Sequence, residues 1–436
     1  MSTCPDPTSC RQPDFLDAKA SLALLGVRPQ TLYAYVSRGA IRSVPQPGTK
    51  AHLYSRSDIE RVMARAAARA GHAAAAAGAM DHGPPIVSSG ITEITEAGPA
   101  YRGYLACDLA RQGVPFERVC ELLWGAPLDV ARAGAWRIPP RDQALAREAG
   151  LRILHGTDPH RVYGSLAMLA LQLERSRRMS GGGGLDAGVV QEARLLICAV
   201  AQALGCVGPA RALTLPERSE SIASTLIRSF GCETTPARIR AVNALLVLLA
   251  DHELPPGTLA VRAAASGGAN LFDCIAVGIC ASAGTEIAGH YAVVDRFLTA
   301  RPSATALRDK ALRLHQRAQR IPGFTHPLYL GGDPRAKHLL AIATELADDS
   351  FNMRQVADFV GWAKENLADH PRHEFAVVCL VRALRLPVWS AAVFFLVARM
   401  AGWAAHVQEQ RGVTGLWRPR ARYVPAHERG RARARR

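Results

Sequence analysis

The stretch Pro322-Gly323-Phe324-Thr325-His326, followed by Asp333-Pro334-Arg335-Ala336, is the most informative part of this 436-residue sequence. Three further segments in the C-terminal half also carry side chains that are common in active sites. They are Asp251-His252-Glu253-Leu254, His373-Glu374-Phe375 and Arg399-Met400-Ala401-Gly402-Trp403. Acid–base catalysis needs a carboxylate as base and hydrogen-bond donors for the charge that develops. Together the four segments therefore predict a catalytic constellation.

In their order and spacing, these segments resemble the citrate synthase family. Arg418-Pro419-Arg420 fits the C-terminal end of that pattern, and Tyr101-Arg102-Gly103-Tyr104 fits its N-terminal region. The resemblance covers roughly residues 86–425 and implies a dimeric, multi-helical body with a large and a small domain. Apolar residues recur at helical spacing from about 190 to 410, which independently predicts a mainly α fold.

The resemblance implies an enzyme that condenses an acyl-CoA with a 2-oxo acid such as oxaloacetate and then hydrolyses the thioester. Glu374 falls at the position of the family's catalytic aspartate, one methylene longer, and His252 matches the histidine that supports the enol oxygen. A misplacement of about 1 Å can cost roughly 10²-fold in rate. The family's second catalytic histidine falls on Ile287, and a three-residue slip would make His290 the ketone-polarising donor.

Binding residues can be carried over in the same way. The resemblance implies that His326, Arg399 and Arg418 bind the 2-oxo acid, for which a guanidinium fork suits a carboxylate better than lysine does. Arg335 and Lys337 lie where the family approaches CoA. Acyl-CoA is then a substrate, and no resident cofactor is expected. No CxxC pair occurs among the ten cysteines, so we predict no metal site.

Three departures from the family pattern leave two functions open. Besides Ile287 and Glu374, Pro327 stands where the family has an arginine after its histidine, and proline has no side-chain donor. The protein is therefore either a condensing enzyme with an altered site or a catalytically weak or inactive relative that responds to ligand as a DNA-binding regulator. The remaining carboxylate and two histidines favour the enzyme.

Residues 14–70 form a separate pattern. Asp17 is suited to cap a first helix, Gly26 to turn the chain, and Pro29 to begin a second helix that ends at Arg38. With a proline-rich wing and a third helix, this region resembles the winged helix-turn-helix of MerR and excisionase-like proteins. The alternative is a docking or dimerisation module. The residues expected to contact DNA are Gln30, Thr31, Tyr33, Arg38 and Arg42.

The remaining sequence is less specific. An Ala, Gly and Pro-rich linker covers residues 71–85, and a basic tail covers residues 426–436. The formal charge of +16 suits anionic partners, which include DNA, CoA and dicarboxylates. We count no apolar run of about 20 residues, so we expect a cytoplasmic protein without a membrane span.

Overall fold

The computed structural model describes residues 15–37, 41, 43–45, 51–55, 58–59, 88–128, 136–181, 188–217, 220–329, 331–348, 350–413 and 416–417. The chain divides into two compact units. One comprises residues 1–88 and 418–436, and the other comprises residues 89–417.

In its described residues, the N-terminal unit has two helices and a small antiparallel sheet. In chain order its elements are β1 (Phe15–Leu16), α1 (Ala18–Leu25), α2 (Pro29–Ser37), β2 (Ser43–Pro45) and β3 (His52–Ser55). The strands lie in the order β1-β3-β2.

Local signals in the sequence explain the two helices. The Asp17 carboxylate accepts a hydrogen bond from the Ala20 backbone N–H at 2.7 Å, which confirms the predicted cap of α1. Gly26 ends that helix with φ 62°, a conformation in which glycine is not strained. The winged helix-turn-helix assignment of this unit and its resemblance to MerR-like proteins stay predictions.

The second unit is mainly helical and begins with a small meander. Its strands are β4 (Thr92–Thr95), β5 (Gly98–Tyr101) and β6 (Tyr104–Leu105). The helices that follow are α3 (Ala106–Arg111), α4 (Phe116–Leu123), α5 (Pro140–Leu154), α6 (Val162–Met179), α7 (Val189–Ala203), α8 (Ile222–Ser229), α9 (Pro236–Leu249), α10 (Pro256–Ser266), α11 (Leu271–Ser282), α12 (Ala288–Leu298), α13 (Ala304–Gln316), α14 (Pro334–Leu346), α15 (Met353–Leu367), α16 (His373–Ala383) and α17 (Ser390–Arg411).

Helix α17 is the centre of this unit's core. It packs against α7, α9, α10 and α11, and nearly all of its residues are buried. Contrary to the expectation from the sequence, α17 and the segment Val189–Cys206 are long and apolar enough to cross a membrane. In the most apolar window of α17 all residues are buried inside the unit, as are 67% of those in Val189–Cys206. Their apolar surface is therefore accounted for by packing.

Three of the motif segments meet beside α17, which carries the fourth. Helix α14 packs against α16, and α12 packs against both α16 and α17. The strand-like contact Phe324–Pro371 joins the loop before α14 to the start of α16. The Thr325 N–H donates to the His370 carbonyl at 3.0 Å, and the Arg372 N–H donates to the Gly323 carbonyl at 2.7 Å. These bonds fix the loop that carries His326 against the helix that carries Glu374.

Candidate active site

His252 is held by the buried residue that precedes it. The Asp251 carboxylate accepts from Thr92 Oγ1 at 2.6 Å and lies 3.3 Å from His406 Nε2. Gly402 of α17 lies against this carboxylate so closely that a Cβ there would be 2.2 Å from Asp251 Oδ1. These contacts therefore fix the Asp251-His252 turn against α17.

Two histidines and a tyrosine form a compact aromatic cluster. His252 Nε2 lies 3.0 Å from the Tyr329 hydroxyl, and the His252 ring lies 5.5 Å from the His326 ring. The Leu328 backbone N–H donates to His326 Nδ1 at 3.1 Å, so this nitrogen is the unprotonated one. His252 and His326 are each 8% exposed. The structure therefore brings together the two histidines that the sequence predicts for the site.

Both rings are neutral at physiological pH. Burial, and next the positive charges of Arg335 and Arg399, hold the pKa of His252 well below its ordinary value. Burial and the charge of Arg335 lower the pKa of His326 to about 4. A neutral imidazole carries one N–H and can hold a ligand oxygen by a hydrogen bond without adding a charge.

Arg335 lies in the interior, beside these histidines. It is 1% exposed, and its guanidinium donates to both carboxylate oxygens of Asp333, at 3.0 and 2.8 Å. Its Nη2 also lies 3.2 Å from His373 Nδ1, whereas its Nη1 is buried with no partner among the described residues. Lys337, two residues along α14, is exposed. The two residues that the sequence assigns to CoA therefore have different surroundings.

Arg399 is the second buried guanidinium. It is 2% exposed, its Nε donates to the Leu249 carbonyl at 3.1 Å, and its Nη1 has no partner in the part of the chain that the structure describes. The guanidinium lies 5.0 Å from the centre of the Phe395 ring. Arg418, the third predicted arginine, lies outside the described residues.

Glu374 is buried in the first turn of α16 and is bound by its own neighbours. Arg372 donates to both carboxylate oxygens, from Nε at 3.1 Å and from Nη2. His373 Nδ1 lies 3.2 Å from Glu374 Oε2. Burial alone would raise the pKa of Glu374, but its interactions with His373 and with the positive charge of Arg372 outweigh burial and hold that pKa below its ordinary value. Glu374 is thus an ionised carboxylate whose proton affinity Arg372 limits.

His290 contacts the same region through the backbone of another segment. The Gly323 N–H donates to His290 Nε2 at 3.1 Å, so this nitrogen is an acceptor. The Gly323 carbonyl in turn accepts from the Arg372 N–H, so His290 lies close to the segment that precedes Glu374. Ile287, where the family pattern has its histidine, precedes α12 and is half-buried.

Three ligand atoms of metal-binding type lie within 4.8 Å of one another in His326, Asp333 and His373. However, both oxygens of Asp333 already accept hydrogen bonds from Arg335. These bonds use the Asp333 oxygens that a metal cation would need. The cluster is therefore a buried ion pair between Asp333 and Arg335, flanked by His326 and His373.

Sequence reasoning did not assign Arg372 to this site, and it left Tyr291 without a role. Arg372 and Glu374 are two residues apart at the start of a helix, and this spacing does not predict that their side chains form a pair. Tyr291 directly follows His290, and its hydroxyl is buried without a partner in the described structure. The signal that could have pointed to Tyr291 was its place in a motif segment, directly after His290.

The predicted DNA-contacting residues belong to the other unit. Gln30 is exposed, Thr31 is half-buried and Tyr33 is 58% exposed, all on α2. Arg38 and Arg42 lie outside the described residues.

Comparison with known sequence families gives a clear assignment. The family described as "Citrate synthase, C-terminal domain" matches residues 82–420, which is most of the chain. The chain belongs to the citrate synthase family. "Citrate synthase 2" of Bacillus subtilis is 25% identical over 363 residues, which cover 78% of this chain and 94% of that protein. The citrate synthase of Saccharolobus solfataricus is 30% identical over 226 residues, which cover 48% of this chain and 58% of that protein.

Solved structures of citrate synthases share the fold. That from Thermotoga maritima has a TM-score of 0.64 and 22% identity, covering 79% of this chain and 94% of its own. That from Thermoplasma acidophilum, a ternary complex with carboxymethyl coenzyme A and oxaloacetate, also has a TM-score of 0.64, with 18% identity over 80% of this chain and 97% of its own. The mainly helical fold expected from the sequence is confirmed.

Proposed function

We propose that the second unit condenses an acyl-CoA with a 2-oxo acid such as oxaloacetate. The observation that carries this proposal is the pair of buried guanidinium groups. Arg335 and Arg399 each keep one buried N–H without a partner among the described residues. A buried, incompletely paired cation is costly, and a carboxylate satisfies it with charge-assisted hydrogen bonds. Two guanidinium groups beside His252 and His326 suit a small 2-oxo acid, whose carboxylates the arginines would bind and whose ketone oxygen a histidine would hold.

Glu374 is the group that would remove the proton next to the thioester carbonyl. It is ionised and buried, as a carboxylate base in a water-poor site must be. His252 would then donate to the enol oxygen, since its ring is neutral. The ketone-polarising role suggested for His290 requires its Nδ1–H, because Nε2 accepts from Gly323.

The geometry favours a further role for Arg335 in binding the 2-oxo acid. Its guanidinium lies beside His252 and His326 instead of on the surface, where the CoA phosphates would be expected. Lys337 is exposed and keeps the proposed contact with CoA. Arg418 stays a proposed second clamp for a carboxylate.

A homodimer is supported by exposed apolar side chains on three neighbouring helices of the second unit. Helices α6, α10 and α11 pack side by side, and each exposes apolar groups. These are Met168 and Leu171 of α6, Leu259 of α10 and Val277 of α11. Exposed apolar patches mark association surfaces. A monomer on size exclusion at micromolar concentration would contradict this proposal.

The proposed substrates can be tested by binding. Isothermal titration with oxaloacetate and then with carboxymethyl coenzyme A should show one site per chain for each, and both should raise the Tm. Acetate serves as the control, because it presents only one carboxylate and no ketone. If neither oxaloacetate nor the CoA analogue binds, the second unit does not have this function.

A second candidate function is ligand-responsive DNA binding by the N-terminal unit. It is supported by the exposure of Gln30 and Tyr33 on the second helix of a helix–turn–helix. A dimer would place two such helices about one DNA turn, ~34 Å, apart. Specific binding should weaken steeply with salt and with Arg38→Ala, and removal of residues 1–75 should abolish it. The proposal fails if no sequence competes better than bulk DNA, or if oxaloacetate has no effect on binding.

A further inference from the structure

Tyr291 is a buried tyrosine whose hydroxyl has no partner in the described residues. It lies in the first turn of α12 and is 2% exposed. Tyrosine hydroxyls that are buried in proteins usually find a hydrogen-bond partner, because leaving one unsatisfied destabilises the fold. A phenylalanine would fill the same space without that cost. The hydroxyl therefore calls for an explanation beyond packing.

The position of Tyr291 supplies one. Its ring lies 6.1 Å from the ring of Phe395, and two site residues contact that same ring. The His373 ring is 6.4 Å from it, and the Arg399 guanidinium is 5.0 Å from it. Phe395 thus joins Tyr291 to the helix start that carries Glu374 and to one of the two unsatisfied guanidinium groups.

The state of the hydroxyl fits a donor. Burial, and next the negative charge of Glu374, raise the pKa of Tyr291 well above its ordinary value. The phenol therefore stays protonated throughout the physiological range and can donate one hydrogen bond. Tyr291 and His373, the residue before Glu374, pack against the same Phe395 ring, so a ligand atom that faces Glu374 would lie in the neighbourhood of Tyr291.

The neighbouring candidate for such a donor is less suited. His290 already uses Nε2 to accept from the Gly323 N–H. Ile287, at the family's histidine position, has no polar group. The Tyr291 hydroxyl is thus a second donor, beside the one that His252 would supply.

We propose that Tyr291 is a catalytic residue whose hydroxyl donates a hydrogen bond to the thioester oxygen of the acyl-CoA. This inference rests on the proposed condensing function. When Glu374 takes the proton from the carbon next to the thioester, the C–H electron pair forms the enolate and negative charge moves to that oxygen. The Tyr291 O–H would hold this charge together with the N–H of His252, and Tyr291 keeps its own proton.

Carboxymethyl coenzyme A tests this role, because it presents a carboxylate oxygen in place of the enolate oxygen. In isothermal titrations with oxaloacetate present, Tyr291→Phe should bind this analogue roughly 10–100-fold more weakly than the wild-type protein, the range for a hydrogen bond to a charged group. Its affinity for oxaloacetate alone should stay the same. Tyr104→Phe, at an exposed tyrosine, is the matched control and should change neither affinity.

Thermal unfolding completes the test. Without ligand, Tyr291→Phe should leave the Tm unchanged or raise it, since an unsatisfied hydroxyl is removed. An unchanged affinity for carboxymethyl coenzyme A would overturn the role of Tyr291, as would a lower Tm, which would show a structural partner. If the wild-type protein binds neither probe, the proposed condensing function itself fails, and this inference fails with it.

Discussion

Arg372 holds the carboxylate of Glu374 through two of its nitrogens, with Nε 3.1 Å from Oε2. The Arg372 side chain is about a quarter exposed, whereas that of Glu374 is almost completely buried. The residue expected to act as base is therefore paired with a cation that reaches solvent. Because this pairing stabilises the ionised carboxylate, it keeps Glu374 ready at low pH but makes it a weaker base.

The first prediction concerns this pair. Besides His373, Arg372 lowers the pKa of Glu374, so that pKa should rise when Arg372→Gln removes the guanidinium charge. Because the ionised form is the active base, activity is lost as pH falls through this pKa. The acidic limb of the pH–rate profile should therefore move to higher pH. Arg354→Gln, at an exposed arginine of α15, is the control and should leave the profile in place. A profile that is identical in both variants would mean that Arg372 does not tune Glu374.

A second prediction concerns the guanidinium of Arg399. Arg399→Lys keeps the charge but loses the planar fork that matches a carboxylate. The affinity for oxaloacetate, measured by titration calorimetry, should fall by at least about tenfold, which corresponds to ~1.4 kcal/mol. Arg354→Lys should bind as the wild-type protein does. Equal affinities in the two variants would remove Arg399 from the carboxylate site.

A third prediction concerns stability at acid pH. The folded-state pKa of His326 is about 4, below its value in an unfolded chain near 6.5. The unfolded chain then binds more protons between these values, so the free energy of unfolding falls as pH is lowered from 6.5 to 4. The full shift is worth about 3 kcal/mol.

Chemical denaturation across this pH range measures the effect. His326→Gln should flatten the dependence, because the titrating group is gone, whereas His155→Gln, at an exposed histidine, should not. Carboxylates contribute to the pH dependence of the free energy of unfolding in both variants. The difference between the His326→Gln and His155→Gln curves is therefore the informative quantity. Parallel curves for the two variants would show that His326 is not held neutral by the fold.

The fourth prediction concerns the approach of α17 to Asp251. Gly402→Ala would place a Cβ 2.2 Å from Asp251 Oδ1 and 2.7 Å from the Ala250 carbonyl. Overpacking of this kind should cost about 1–3 kcal/mol of stability and displace His252, with a loss of activity of roughly 10²-fold. Gly361→Ala, in the open middle of α15, should stabilise by up to about 1 kcal/mol. A harmless Gly402→Ala would mean that this contact does not position His252.

The sequence allowed much of the fold to be predicted for definable physical reasons. Asp17 and Gly26 are cap residues whose roles follow from local geometry, and both act as expected. The helical body follows from the period of its apolar residues. The meeting of His252 and His326 followed from resemblance alone, since no local rule brings together two loops separated by α10 to α13.

Other parts of the site could not be read from the sequence. Arg335 at the start of a helix is as typical of a solvated residue as of a buried one, and only the Asp333 and His373 contacts decide it. The unsatisfied hydroxyl of Tyr291 depends on packing around Phe395, which pairs residues from distant segments. Such contacts arise from tertiary structure and leave no periodic pattern.

Release of free CoA thiol tests the central claim most directly. Wild-type protein mixed with acyl-CoA and 2-oxo acid pairs, beginning with acetyl-CoA and oxaloacetate, should release thiol only when both substrates are present. Glu374→Gln, which removes the base but nearly keeps the shape, should lower this rate by roughly 10²–10⁴-fold while acyl-CoA binding persists. If no pair yields thiol, or if Glu374→Gln releases it at the wild-type rate, the account of this site as a condensing centre with Glu374 as its base is contradicted.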